Sequence, residues 1–403
     1  MSSNIKIGKD QRHYLLQPVG LIEWYMQLSE AESALRKRAA AFATEEIEPV
    51  AVEYERTGNH PTEIVRKAAK EGLTTAALPE EYGGGGMGIT ANLLVREKLY
   101  AADPGIAEAI TGSMFGCEII AADGNEEQAE RWVRPTTDGE MITGAAMTEP
   151  RGGSDFANTA AQAVRDGDEY VINGEKIFIG NGDIADAVLV FARTSDTEKP
   201  HRGISSFMIE SGTDGFHQKE LESFAGPGAM SLGRLDLDDV RVPVEALIGE
   251  KDDGFYQAMR TMNGSRLEIA ASSLGAARGA LDRTIEHISE RNTFGKRVKD
   301  RQAIRHRVAE YEAQIEATRS FTYETARDLE KDVNLAEKPA MTKLLAAQLA
   351  EDVASDAIQM HGGFGLLDKY HVEEYLRWSK IAQIYDGTNE ILRGIIAGSV
   401  LDE

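Results

Sequence analysis

The chain has 403 residues, 42% of them hydrophobic, and a formal net charge of -23 from 67 acidic against 44 basic side chains. That length exceeds what a single core usually serves, so two or three domains are expected, and the apolar fraction excludes a disordered chain. An acidic surface repels phosphate backbones, which argues against nucleic-acid binding, and no apolar run approaches the ~20 residues of a membrane-spanning helix.

The basic residues are mostly arginine. An acid-rich, lysine-poor composition is expected of a halophilic protein from a high-salt cytoplasm; an ordinary acidic cytosolic enzyme is the alternative. The single cysteine, Cys117 in "MFGCEIIA", leaves no intrachain disulfide framework and reads as a buried small apolar residue. The opening "MSSNIKIGKDQRHYLLQPVG" lacks the apolar core and cleavage pattern of a secretion leader. A soluble, cytoplasmic protein is expected.

Residues 1–143 read mostly as helices. "SEAESALRKRAAAFATEEIEPV" opens on Ser29, a helix-capping residue with glutamates one and three positions on. "PTEIVRKAAKEGL" places Pro61 near a helix start and Gly72 after its end. From 144 the texture changes. "EYVINGEKIFIGNG" carries Asn-Gly between apolar runs, which predicts a hairpin turn at Asn173-Gly174. "AVLVFAR", "ISSFMIE" and "GRLDLDDVRVP" are further strands. Beyond 253, Leu267, Ala270, Ala271, Leu274, Leu281, Ile285 and Ile288 recur at helical spacing. Val308, Tyr311 and Ile315 mark a second long helix, and Met341, Leu345, Leu349 and Val353 a third. The reading is an α+β multidomain chain: an N-terminal helical domain (1–143), a central β-barrel or sandwich domain (144–252) and a C-terminal four-helix-bundle domain (253–403).

"GGGGMG" at 83–88 fits G-x-G-x-x-G in letter, but "LPEEY" precedes it where a dinucleotide site needs a buried strand. A turn between helices is expected there. The eight histidines are scattered, none paired at helical ligand spacing, so no metal is expected. Three other stretches carry chemistry. "AAMTEPRGGSD" (145–155) places Thr148, Ser154 and glycine-freed amides in one loop that suits a flat heteroaromatic ring. "ERNTFGKRV" (290–298), with Gln302 after it, puts Arg291 at a helix end beside Phe294, which suits a pyrophosphate and an adenine. "QMHGGFG" (359–365) brings glycine amides within reach of a phosphate, and "IYDGTNEI" (384–391) sets a carboxylate at a chain break.

In this order, around this β region, the chain resembles the acyl-CoA dehydrogenase family from about residue 30 onward. The family's T-E-P-x-x-G-S-D is matched by Thr148 to Asp155 and its I-N-G-x-K-x-x-I-x-N-G by "INGEKIFIGNG" (172–182). "DVRVP" (239–243), "RNTFGK" (291–296) and "HGGFG" (361–365) match three further segments. The resemblance implies FAD held between the β domain and the C-terminal helices. Met147, Thr148, Ser154, Phe178 and Ile179 would line the flavin. Arg291, Phe294, Gln302, Gln359, Gly362 and Gly363 would contact FAD across a subunit boundary, with Thr388 and Glu390 near its phosphates and adenine. Ser154, Asn263, Arg266 and Gly387 are the implied substrate-binding positions for a CoA ester. A homotetramer and an electron-transfer flavoprotein as partner follow from the same resemblance.

The family's catalytic carboxylate, usually Glu, falls at Asp386. Asp is shorter by one bond, about 1.5 Å, and a ~1 Å misplacement can cost about a hundredfold in rate. Some members carry the base at the position of Ser265, where a hydroxyl cannot replace it; Glu268, one helical turn further, is the alternative base. A third possibility leaves Asp386 as the cap of the helix that follows. Three departures stand out: Gly180 where a flavin-facing hydroxyl is common, Gly228 for an arginine of the β domain, and Trp378 for an aspartate after Arg377. The leading expectation is α,β-desaturation of an acyl-CoA. A flavin oxidase of the same fold (acyl-CoA or nitroalkane oxidase type) and a non-catalytic FAD- or CoA-ester-binding subunit remain as alternatives.

Overall fold

The computed structural model describes residues 28–222, 224–331 and 337–401. The stretch tested above for a leader lies outside them. Among the described residues no helix is long and apolar enough to cross a membrane.

Helix α1 (Glu30–Phe42) begins as its sequence dictates: the Ser29 hydroxyl accepts from the Glu32 N–H, and the Glu32 carboxylate accepts from the Ser29 N–H. Helices α2 (Ala51–Thr57), α3 (Thr62–Lys70), α4 (Ile89–Ala102), α5 (Pro104–Gly112) and α6 (Cys117–Asp123) follow. Asp103 caps α5 by accepting from Ile106 N at 2.6 Å. Cys117 is fully buried.

Seven strands then join in one sheet, in the order β1 (Thr143–Ala146), β4 (Ala187–Arg193), β2 (Gln162–Asp166), β3 (Glu169–Gly180), β7 (Leu232–Pro243) and β6 (Phe216–Glu220), with β5 (Ile204–Glu210) also paired to β4. The hairpin expected at Asn173-Gly174 is absent. Strand β3 runs straight through the pair, and the chain instead turns between Asp166 and Glu169. Asn173-Gly174 marks a register shift against β7; the Gly174 φ of 150° lets the backbone lie where a Cβ would meet Ala161 at 2.6 Å. The dipeptide signals a bulge here, because the runs on both sides of it pair with the same strand, β7.

The C-terminal part packs three long helices, α7 (Gly254–Glu290), α8 (Gln302–Leu329) and α9 (Glu337–His361), against one another, with α10 (Glu373–Ala382) and α11 (Asn389–Leu401) laid on α9. A small ribbon, β8 (Asn292–Thr293) with β9 (Lys296–Arg297), links α7 to α8. The face of α9 differs from the expected stripe. Leu349 and Val353 are buried, but Leu345 is 51% exposed, and the inner face is Ala340, Lys343, Ala346, Ala347 and Ala350. Small residues also let α7 lie against α4: a Cβ at Gly279 would stand 2.1 Å from the Ala101 carbonyl oxygen. One core therefore spans the N-terminal helices and the bundle, and a second fills the sheet.

Candidate active site

Asp386 lies in the turn between α10 and α11, half-buried, with a φ of 50°. Asp tolerates this left-handed conformation better than a longer side chain does. Its carboxylate accepts a hydrogen bond from the Ser265 hydroxyl on α7, 121 residues away in sequence. It is not the helix cap: Thr388 takes that role, accepting from Ile391 N at 3.3 Å. The turn is held from below by Lys343, whose side chain is fully buried and donates to the Tyr385 and Gly387 carbonyls, the latter at 2.6 Å. Burial lowers the Lys343 pKa to about 8 against the opposing pull of Asp386. The N–H groups of Asp386 and Gly387 donate to no acceptor among the described residues. A carboxylate and two unspent donors thus share one rigid turn. Sequence reading missed Lys343; its one signal was a lone lysine on an alanine-lined helix face.

Arg266, next to Ser265, is 8% exposed and donates to Asn263 Oδ1 at 3.2 Å, while its Nε has no partner among the described residues. A Cβ at Gly387 would come within 3.9 Å of its Nη2, so the guanidinium borders the Asp386 turn. Burial lowers its pKa and Asp386 raises it. Glu268 is placed differently. It is buried, paired with Arg96 Nη2 at 2.8 Å and accepting from Asn92 Nδ2 at 2.8 Å. Both oxygens are committed, which leaves Asp386 as the accessible carboxylate.

Glu118 on α6 joins this group. Burial chiefly, then the charge of Glu268, raises its pKa to about 8 despite Arg96, with Asp386 adding to the rise. Its folded value stands above its ordinary one, so its contribution to stability is full below about pH 4.5 and is lost as pH rises through about 8. Glu118→Gln is expected to remove that slope. Matched thermal melts of the variant and wild type should coincide near pH 4.5. At pH 8 the variant should melt a few degrees higher, about 2 kcal/mol after discounting for residual exposure.

The other expected positions fall into two sets. Met147 and Thr148 follow β1, Ser154 sits in the next turn, and Phe178, 56% exposed with a φ of 59°, ends β3. The Ile179 side chain is buried in the sheet core. Arg291, Gln359, Gly362 and Gly363 line a cavity of about 420 Å³ together with Thr293 and Phe364. There the Arg291 guanidinium lies 5.0 Å from the Phe364 ring centre, and open space stands where Cβ atoms of Gly362 and Gly363 would be. Phe294, 97% exposed, and Gln302 do not line it. Glu390 is exposed and pairs with Arg393 at 3.1 Å.

The departures have physical counterparts. At Gly180 a Cβ would meet the Phe115 ring at 3.2 Å, so phenylalanine takes the space of a side chain. At Gly228 a Cβ would lie 2.3 Å from the Glu55 carbonyl oxygen. Trp378 is fully buried and donates to Glu108 at 3.0 Å. Among the described residues one group with metal-ligand chemistry, Asp103, His371 and Glu374, converges within 4.8 Å. It joins α5 to the start of α10: Glu374 accepts from Gly105 N at 3.2 Å, and His371 Nε2 lies 3.2 Å from Asp103. The histidine spacing gave no hint of it.

Three family profiles match in chain order: "Acyl-CoA dehydrogenase, N-terminal domain" over residues 29–140, "middle domain" over 144–240 and "C-terminal domain" over 252–401. A short-chain-specific acyl-CoA dehydrogenase of Clostridium acetobutylicum is 35% identical over 93% of this chain and 98% of its own. The caffeyl-CoA reductase-Etf complex subunit CarC of Acetobacterium woodii is 33% identical, over 93% of this chain and all of its own. The structure of butyryl-CoA dehydrogenase from Megasphaera elsdenii superposes with a TM-score of 0.88 at 33% identity, covering 93% of this chain and 99% of that one. This chain belongs to the acyl-CoA dehydrogenase family.

Proposed function

We propose that the protein is an FAD-dependent acyl-CoA dehydrogenase in which Asp386 removes the α-proton of an acyl-CoA thioester. The observation that carries this reading is the Asp386 turn itself: an accessible carboxylate, oriented by Ser265, beside the unspent N–H groups of residues 386 and 387. An α-proton is weakly acidic, so the thioester carbonyl must be polarised as the proton leaves. Fixed N–H donors do this without reorganising. Lys343 keeps them fixed by holding the carbonyls on either side of Asp386. Arg266 borders the turn and supplies positive charge that an acidic protein needs to hold a polyanionic CoA ester.

FAD, when bound, supplies the acceptor for the β-hydride. The residues present fit it. Arg291 and the open glycine backbone at 362 and 363 suit a pyrophosphate, and the exposed Phe178 beside Thr148 and Ser154 suits a flat ring. Neither Met147, Thr148 nor Phe178 lines the Arg291 cavity. That separation, with the bare Phe294, supports a cofactor shared across subunits of a homotetramer. Electron transfer to an electron-transfer flavoprotein is supported by the relative that forms a complex with Etf. A cytoplasmic location and adaptation to high salt are inferred from the charge of -23.

Anaerobic bleaching of the purified yellow protein by a panel of acyl-CoA esters tests this reading. Bleaching by at least one ester, with little peroxide released when the reduced protein meets air, is the expected result. Rapid peroxide formation without a carrier protein would identify an oxidase instead. Tight ester binding with no bleaching across the panel would identify a binding subunit.

A further inference from the structure

The buried group of Asp103, His371 and Glu374 has no part in the reaction proposed above. Asp103 precedes α5, and His371 and Glu374 lie at the start of α10. Each carboxylate spends one oxygen on a backbone N–H of α5: Asp103 Oδ1 accepts from Ile106 at 2.6 Å and Glu374 Oε1 from Gly105 at 3.2 Å. These bonds leave the other two oxygens facing the imidazole, with Asp103 Oδ2 3.2 Å from Nε2 and Glu374 Oε2 3.5 Å from Nδ1. His371 is 7% exposed and each carboxylate 1%. Among the described residues neither His371 Nε2 nor Glu374 Oε2 has a hydrogen-bond partner. Nε2 thus sits close to Oδ2 without the alignment of a hydrogen bond. Two carboxylates buried this near one another repel. Burial chiefly, then the Asp103 charge, pushes the Glu374 pKa well above its ordinary value. Arg377, on the same helix, is committed to Glu55 and Glu373.

The geometry points to a divalent transition-metal site formed by Asp103 Oδ2, Glu374 Oε2 and one nitrogen of His371, with water completing the shell. One ligand atom from each of the three residues falls within 4.8 Å of the other two. Ligands about 2.0–2.2 Å from a tetrahedral ion stand about 3.3–3.6 Å apart. The contacts of 3.2 and 3.5 Å are close to that spacing. An ion lying off the line from nitrogen to oxygen satisfies both atoms, whereas a shared proton needs the alignment that Nε2 lacks. A doubly charged ion also offsets the repulsion between the two carboxylates. An imidazole with two carboxylates suits Zn2+ or Mn2+ better than Ca2+ or Mg2+, which prefer oxygen ligands alone. The two α5 N–H groups hold the carboxylates as outer partners commonly hold metal ligands. The ion clamps the start of α5 to the start of α10, the helix that runs into the Asp386 turn.

The test measures metal content by mass spectrometry in untagged, FAD-bound protein from cells grown with added Zn2+ or Mn2+, after desalting at high ionic strength. Wild type is expected to retain about one ion per chain, and a strong chelator should lower its melting temperature by several degrees. Two variants serve as controls. Glu374→Gln keeps an oxygen for the Gly105 N–H, and His371→Asn places a residue that tolerates the φ of 49°. Each should retain less than about a tenth of an ion per chain and lose the chelator effect, with FAD content unchanged. Ions held loosely by the acidic surface would be common to all three proteins. Wild type with no retained ion and no chelator effect would overturn the site, whatever the variants do. Variants retaining as much metal as wild type would overturn it too. If wild type is metal-free and loses stability as pH rises through about 6.5 while His371→Asn does not, His371 is instead a protonated bridge between the two carboxylates.

Discussion

Asp386→Asn is expected to lower the rate of flavin reduction by an acyl-CoA by about 10²–10⁴, the range of a positioned general base. FAD content and melting temperature should stay near wild type. The amide is nearly isosteric and can still accept from Ser265, so the turn should survive the exchange. Only the basic lone pair is lost. Loss of rate without loss of cofactor separates a base from a residue that merely shapes the turn. Glu268→Gln should behave in the opposite way. It removes one partner of a buried pair with Arg96, a change that typically costs about 3–5 kcal/mol of stability, while activity per bound FAD persists.

Lys343→Met should produce the second large effect, about a hundredfold loss in kcat, because the turn it braces would shift by an ångström or so. The stability cost should be smaller than burial alone suggests. Met leaves two carbonyls without a donor, about 1–3 kcal/mol each. It also removes a buried ammonium whose pKa has fallen from 10.5 to about 8, which corresponds to about 3 kcal/mol of unfavourable burial at neutral pH. The two terms largely offset. The pH dependence carries a definite sign. Between about pH 8 and 10.5 the unfolded lysine holds more protons than the folded one, so wild-type stability gains with rising pH there, and the Met variant lacks that gain. Thermal melts of both proteins at pH 7 and pH 10, with steady-state kinetics alongside, check both statements.

The architecture was legible in the sequence wherever local chemistry decides. The Ser29 cap, the strands of "AVLVFAR" and "ISSFMIE" and the long helix over Leu267 to Ile288 stand as their patterns require. Readings went astray where a signal has two meanings. Asn-Gly serves a turn or a bulge, and at 173–174 pairing with β7 before and after the dipeptide selects the bulge. The stripe Met341, Leu345, Leu349 and Val353 marks α9, but only Leu349 and Val353 reach the core, while Leu345 stays outside and alanines let α9 pack closely.

The site was legible as residue types but not as partners. Asp386 could be named from its motif, yet its donor Ser265 comes from another helix, and Lys343 has no motif at all. Glu268 seemed able to reach the substrate from its spacing; Arg96 and Asn92, far away in the chain, take up its oxygens. Ile179 sits in a flavin-matching segment, and the irregularity of β3 between Lys176 and Ile179 turns its side chain into the core.

Exchange of the α-hydrogens of a bound acyl-CoA with D2O, followed by NMR or mass spectrometry, isolates the proton step from electron transfer. Wild type and Glu268→Gln should exchange the α-position at comparable rates per bound FAD, and Asp386→Asn should exchange it at least a hundredfold more slowly. Exchange by Asp386→Asn at the wild-type rate, or its disappearance only in Glu268→Gln, would contradict the assignment of Asp386 as the base.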